Sequence, residues 1–308
     1  MNGYQPEGIF SLHQARTDGA LSLSSLEYAK EKRKILEAPV LLCDKDMNLH
    51  VALGEGIGII PKNEVVYPIT AEDVKDIAIL TRVGKTVCFH VEKVDMHNEK
   101  PVALLSRRSA QRECYEKKVA TLRAGDIIKA RITHLEPFGA FLDIGCGIIS
   151  LLPIDCISVS RISHPSVRLS VGDLIDVVVK SNENGRVYVS RKELLGTWEE
   201  NAALFSAGQT VAGAVRSIES YGIFIELTPN LTGLAELRDG VSLDDLATVY
   251  IKSILPEKMK IKLIVLDFGR SSIYAKSPTL PSFMPKEKHI DYWRYSPLHA
   301  SKTIETYF

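Results

Sequence analysis

The chain has 308 residues, of which 45% are hydrophobic and 25% charged, which supplies material for packed cores and excludes wholesale disorder. Its 38 basic and 38 acidic side chains cancel, so the chain cannot grip nucleic acid through an overall basic excess and any phosphate site must be local. Five cysteines without a C-x-x-C pair exclude a disulfide framework and a zinc ribbon, and no apolar run approaches the roughly 18 to 20 residues that span a bilayer; a reducing cytoplasm and no membrane partner are expected.

Residues 1 to about 22 mix polarities without sustained period and read as a loosely structured arm. Ser24-Ser25-Leu26-Glu27 has capping-box spacing, and Leu26, Ala29, Arg33, Ile35 and Leu36 trace a helical face up to Pro39, which predicts one helix. The period then drops to two in Asn48–Leu53, Thr86–Val91 and Ile127–Ile132. With Gly, Pro, Asn and Asp between them, these runs predict an all-β barrel or sandwich. An Arg-rich helix is expected between about 104 and 120. The stretch from Lys100 to Ala120 is the most basic in the chain, with six cations against two carboxylates, and is expected to add phosphate contacts.

An internal repeat organises the β-rich region: Gly125 and Gly208, Gly139 and Gly222, and Phe141 and Phe224 are each 83 residues apart. A fainter copy upstream, from Leu49 to Pro61, mimics Leu142 to Pro153 but lacks the aromatics. The expected organisation is an arm and helix at 1–37, barrels at 38–108, 122–193 and 206–276, connectors at 109–121 and 194–205, and an aromatic tail at 277–308 that packs on the last barrel.

In the second repeat, strand alternation places Ala140, Leu142 and Ile144 on one face and Gly139, Phe141 and Asp143 on the other. The aliphatic set must line the core, so Phe141 points outward; by the same argument Ile223, Ile225 and Leu227 face in and Phe224 and Glu226 face out. Phe138 and Tyr221 sit three residues before those aromatics. The pairs form either a stacking platform for bases, which tolerates any sequence because every base has a π-face, or a surface packed under a loop or a neighbouring barrel. Lys129 and Arg131 are expected to project outward, and Arg186, after a hairpin turn, can supply phosphate contact or guanidinium stacking.

Gly125-Asp126, the run Pro137-Phe138-Gly139-Ala140-Phe141-Leu142-Asp143-Ile144-Gly145, Val171-Gly172-Asp173 and Gly185-Arg186-Val187-Tyr188-Val189-Ser190 resemble, in order and spacing, the S1 RNA-binding domain, a five-stranded OB-fold. The resemblance is strong at 122–193, moderate at 206–276 and weak at 38–108, so the implied fold is three tandem OB-type barrels with an N-terminal helix and helical connectors, similar to a shortened ribosomal protein of that family. It implies single-stranded RNA held by two aromatics, a His, an Asp and an Arg. Phe138, Phe141 and Arg186 match; the His position falls at or beside Pro153, and Asn182 replaces the Asp. Tyr221 and Phe224 fill the aromatic positions of the third barrel, and Asp267 with Arg270 approximates its acidic and basic pair. Glu236 stands at the His position there and predicts weaker binding. Met47 and His50 occupy the aromatic positions of the first barrel, which the resemblance assigns, with the preceding helix, to docking on the small ribosomal subunit.

Gly54-Glu55-Gly56-Ile57-Gly58 lacks the helix and the Lys-Ser/Thr ending of a phosphate-binding loop and reads as a strand connection. His90 and His97 are expected at the surface rather than on a metal, and no nucleophile elbow, H-E-x-x-H or kinase-like set occurs. Neither an enzyme nor a cofactor is expected. The leading reading is a single-stranded RNA (mRNA) binder acting in translation. The alternative is a ribosome- or nuclease-associated adaptor whose barrels mainly bind protein.

Overall fold

A computed structural model describes residues 4–9, 22–54, 56–68, 75–97, 100–183, 185–269, 283, 285 and 287–308. The first closed barrel consists of β1 (Leu36–Cys43), β2 (Leu49–Leu53), β3 (Gly56–Ile60), β4 (Thr86–His97) and β5 (Lys100–Ser106). The second is β6 (Ile127–Glu136), β7 (Gly139–Asp143), β8 (Ile149–Pro153), β9 (Leu174–Glu183) and β10 (Arg186–Ser190). The third is β11 (Thr210–Glu219), β12 (Gly222–Thr228), β13 (Leu231–Ala235), β14 (Leu246–Leu255) and β15 (Lys260–Gly269).

Each barrel has the same topology. The first strand pairs with the second and fourth, the third pairs parallel with the fifth, and the remaining neighbours are antiparallel, which is the closed order of an OB-fold. Each first strand also carries a register shift, between Val40 and Leu42, Ile132 and His134, and Val215 and Ser217; the last two keep the 83-residue spacing of the repeat. Such a bulge lets one long strand bend and serve both sides of a barrel. Gly139 and Gly222 hold equivalent places where second and third strands approach: a Cβ would lie 2.4 Å from the Leu152 carbonyl and 2.5 Å from that of Ala235.

Among the described residues, four short α-helices join or plug the barrels: α1 (Leu23–Glu31), α2 (Asp76–Leu80), α3 (Arg107–Lys117) and α4 (Trp198–Ala202). The N-terminal helix is capped by Ser22, whose hydroxyl accepts from Ser25 N at 3.3 Å, not by Ser24. It ends before Arg33 (φ +47°), and Leu36 and Pro39 already belong to β1, with Ile35 in the connection between them. Leu26 and Ala29 enter the core of the first barrel, whereas Ala110 and Cys114 of α3 enter that of the second.

The expected basic connector is partly spent internally, while Lys100, Arg108, Arg112 and Lys117 stay exposed. Arg107 is 2% exposed and ion-paired with Glu7. Lys118 donates to the carbonyls of Tyr4 and Ile144, Lys117 pairs with Glu113, and Arg112 lies 3.8 Å from Glu116. Part of the expected loose arm is in fact packed: Tyr4 to Gly8 runs across the junction of the first two barrels, with Glu7 buried. His90, expected at the surface, is 2% exposed and lies 2.9 Å from Glu113. Strand parity could not show this, because α3 covers the outside of β4.

The tail contributes Trp293 and Tyr295 to the core of the third barrel, and β16 (Tyr292–Arg294) pairs with β17 (Glu305–Tyr307). It also reaches back to the second barrel. His289 bridges to Asp126, Ile127 N donates to Lys288 O and Ile290 N donates to Gly125 O. Hydrogen bonds donated by the ring to Asp126 (2.7 Å) and Asp291 (3.1 Å) raise the His289 pKa above the ordinary histidine value. A raised pKa means the protonated ring stabilises the docked tail at low pH, and that support is lost as pH climbs through the raised value. Hydrogen-exchange protection factors of the Ile127 and Ile290 amides are therefore expected to fall as the pH rises through the raised histidine value, and to become independent of pH in His289→Gln.

Candidate nucleic-acid interface

The outer face of the second barrel is built by β6, β7 and β8. Ala140, Leu142 and Ile144 are fully buried, and the intervening Phe141 faces out, half-buried. Phe138 occupies the tight connection before β7 and is 56% exposed; its ring meets Phe141 edge-on, with centroids 6.0 Å apart and planes at 89°. The third barrel repeats this geometry: Tyr221 is 67% exposed and meets Phe224 at 5.9 Å and 89°. An exposed ring braced edge-on by a second ring keeps its π-face open, and leaving two such large rings in water at equivalent places is not required by either core.

A third ring joins the second barrel. The bulge at Thr133 puts His134 opposite Phe141, where the imidazole lies parallel to it at 6.4 Å and 25° and is hydrogen-bonded to Glu136 at 2.7 Å. No histidine stands at Pro153, which pairs with Gly139 beneath Phe138. The imidazole thus approaches Phe141 from the other neighbouring strand. Tyr188, outward on β10 and 37% exposed, extends the aromatic surface next to Leu151.

The polar residues singled out by sequence have varied surroundings. Arg186 is exposed at the start of β10, opposite Glu183. Lys129 is exposed but its ammonium lies 3.2 Å from Asp176 on β9, its register partner. Arg131 donates from Nη1 to the Glu7 carbonyl at 2.7 Å and so holds the N-terminal segment. Asn182 spends its amide N–H groups on the carbonyls of Val119 and Leu122, at 2.8 and 3.3 Å, fastening the connector. Arg270 lies outside the described residues. In the third barrel a cleft of about 670 Å³ beside Tyr221 is lined by Glu236, at the position the family fills with histidine, together with Arg238, Lys252 and Lys262, so three cations share the cleft with this carboxylate. In the first barrel Met47 is in a left-handed turn (φ +64°) and His50 is 3.2 Å from Asp44.

Beneath the face of the second barrel lies a buried charge cluster. Glu7 accepts from Arg107 through both carboxylate oxygens, at 2.7 and 3.0 Å, and from Cys88 N at 3.1 Å. Burial pushes the Glu7 pKa up, but the charge and hydrogen bonds of Arg107 outweigh it and hold the carboxyl below its ordinary value. Asp143 accepts from the backbone N–H groups of Glu7, Gly145 and Gly147, and burial together with the Glu7 charge pushes its pKa up to about 7.

The S1 RNA binding domain family matches residues 121–192, the range of this barrel. The chain carries an S1 RNA-binding domain. Over longer spans it is similar to the small ribosomal subunit protein bS1 of Staphylococcus haemolyticus, 27% identical over 291 residues that make up 92% of this chain and 70% of that protein. It is likewise similar to bS1 of Staphylococcus aureus, 27% identical over 239 residues, 75% of this chain and 58% of that protein. A solved structure from Streptococcus pneumoniae, described as a multidomain protein with nucleic acid binding domains, covers 76% of this chain at 14% identity with a TM-score of 0.25. The S1 domain sits on the barrel whose aromatic face is most complete. The other two barrels repeat its topology with altered surfaces.

Proposed function

We propose that this protein binds single-stranded RNA, as an S1-type mRNA-binding protein acting in translation in the cytoplasm, with the second barrel as the main grip. The observation that carries this reading is the braced pair Phe138 and Phe141, flanked by His134 and, one strand further, Tyr188 on the S1 domain, and repeated as Tyr221 and Phe224 one barrel later. Base stacking on such rings tolerates any sequence, and cations around them follow the backbone. The bS1 relatives favour the ribosome as the setting.

The first barrel supports a different role within the same reading. Its outer surface exposes Leu41, Leu42, Ile57 and Leu104, whereas the second barrel adds exposed rings to its exposed aliphatic groups Ile149, Val171 and Leu174. An aliphatic face of this kind suits a protein surface better than a phosphate backbone. The first barrel and α1 are therefore assigned to docking on the small ribosomal subunit, and the third barrel to weaker RNA contact. No catalytic or cofactor role is assigned.

The test is fluorescence anisotropy with a labelled unstructured RNA of about a dozen nucleotides. Each stacked ring contributes about 1–3 kcal/mol, so Phe138→Ala/Phe141→Ala is expected to weaken binding roughly thirtyfold or more while leaving the thermal transition nearly in place. Unchanged affinity in the folded double variant sinks the stacking reading and leaves the barrels as protein-interaction modules.

A further inference from the structure

A cleft of about 720 Å³ opens where the first and second barrels meet, and its rim is shared with the aromatic face, since Phe141 and His134 line both. Arg82 and Lys85 of the first barrel form the opposite wall, with Arg131 of the second beside them. The segment bearing Arg82 and Lys85 connects α2 to β4 and carries none of the motif residues.

The charges of the cleft do not balance on that wall. On the floor, Glu7 is engaged by Arg107 and Asp143 by three backbone N–H groups. Arg82 reaches this cluster only loosely: Nη1 is 4.0 Å from Glu7, Nη2 donates to the Thr81 hydroxyl at 3.2 Å, and the buried Nε has no hydrogen-bond partner among the described residues. A buried guanidinium N–H without an acceptor is costly and leaves this side chain weakly held, and its 23% exposed part faces the cleft, where a phosphate oxygen can meet the guanidinium. Lys85 stands against Arg82 with like charge, and partial burial followed by that neighbour holds its pKa below the ordinary lysine value. An anion between the two relieves both.

We propose that a single strand stacked on the second barrel continues into this cleft, where Arg82 and Lys85 of the first barrel hold its backbone phosphates. The inference rests on the RNA-binding reading above. It makes the RNA site a composite of two barrels and gives the first barrel, which lacks the aromatics, a part in binding. The strap from Tyr4 to Gly8 then forms the floor under the crossing point.

The test compares RNAs of about four and about twelve nucleotides, the first covering only one barrel face, against intact protein, Arg82→Gln/Lys85→Gln and Phe138→Ala/Phe141→Ala over a series of salt concentrations. For single strands each phosphate contact contributes about 0.7 to the slope of log K against log salt. The Arg82→Gln/Lys85→Gln protein is expected to lose roughly 1.4 from that slope with the long RNA and to be indifferent with the short one. Lys85→Gln alone, at a side chain outside the buried cluster, is expected to lose about 0.7 and covers the case in which the double variant does not fold. An unchanged slope in proteins that still need Phe138 and Phe141 overturns the cleft while the RNA-binding reading stands. Failure of the intact protein to bind either RNA overturns both.

Discussion

Replacing Glu7 with alanine is expected to destabilise the protein by about 3–5 kcal/mol. Arg107 is 2% exposed, and Glu7 supplies the carboxylate that meets it through two oxygens, so the variant leaves a buried guanidinium without its counter-charge. The pair joins the N-terminal strap to α3, and the same strap accepts from Arg131 and Cys146 and donates to Asp143 in the second barrel. Gly147 shows how closely the pair is packed: with φ +74°, a Cβ there would lie 1.9 Å from the Arg107 guanidinium. Urea denaturation followed by circular dichroism measures the loss. Glu7→Leu/Arg107→Leu is expected to recover much of it, because removing both charges of a buried pair is far cheaper than removing one. A loss below about 1 kcal/mol in Glu7→Ala would mean that Arg107 finds water or another carboxylate, and that the strap does not fix the first two barrels together.

Period and repetition made the barrels legible. Ala140, Leu142 and Ile144 alternate with Phe141 over a few residues, and the 83-residue spacing carries that pattern into a second copy, so local geometry alone placed the rings. His134 escaped because parity counted from Lys129 and Arg131 turns it inward, and only the bulge at Thr133 turns it out to Phe141. A bulge adds a residue without altering composition, so no local signal marks it. Arg131 and Asn182 did lie at the surface of the barrel, but partners far along the chain, Glu7 for one and Val119 and Leu122 for the other, engage them. Arg107 looked like part of a phosphate-binding segment because sequence shows charge, whereas burial depends on a residue 100 positions away. The cleft wall of Arg82 and Lys85 was hidden for the same reason: it exists only once two barrels are side by side.

The second large effect is expected at the other barrel junction. Glu226, outward-facing on β12 by strand parity, is only 5% exposed because Arg168 of the second barrel closes over it, with contacts of 2.9 and 2.6 Å, while Arg216 meets it from β11 at 2.9 Å. Two guanidinium groups thus share one carboxylate, and Asp244 adds a contact to Arg216 at 2.6 Å. Removing either kind of partner has unequal consequences. Glu226→Ala leaves two cations facing each other in a site closed to water, with an expected loss of about 3–5 kcal/mol and separation of the second and third barrels. Arg168→Met leaves Glu226 still paired with Arg216 and is expected to cost less, although Asn230 remains to hold the junction through Val159 N, Lys192 O and Gly196 O. Calorimetry on both variants gives the order, and small-angle scattering gives the separation as an increased radius of gyration in Glu226→Ala. Equal losses would mean that the carboxylate is not the hub of the cluster. An unchanged scattering profile would mean that Asn230 and the tail fix the two barrels without it.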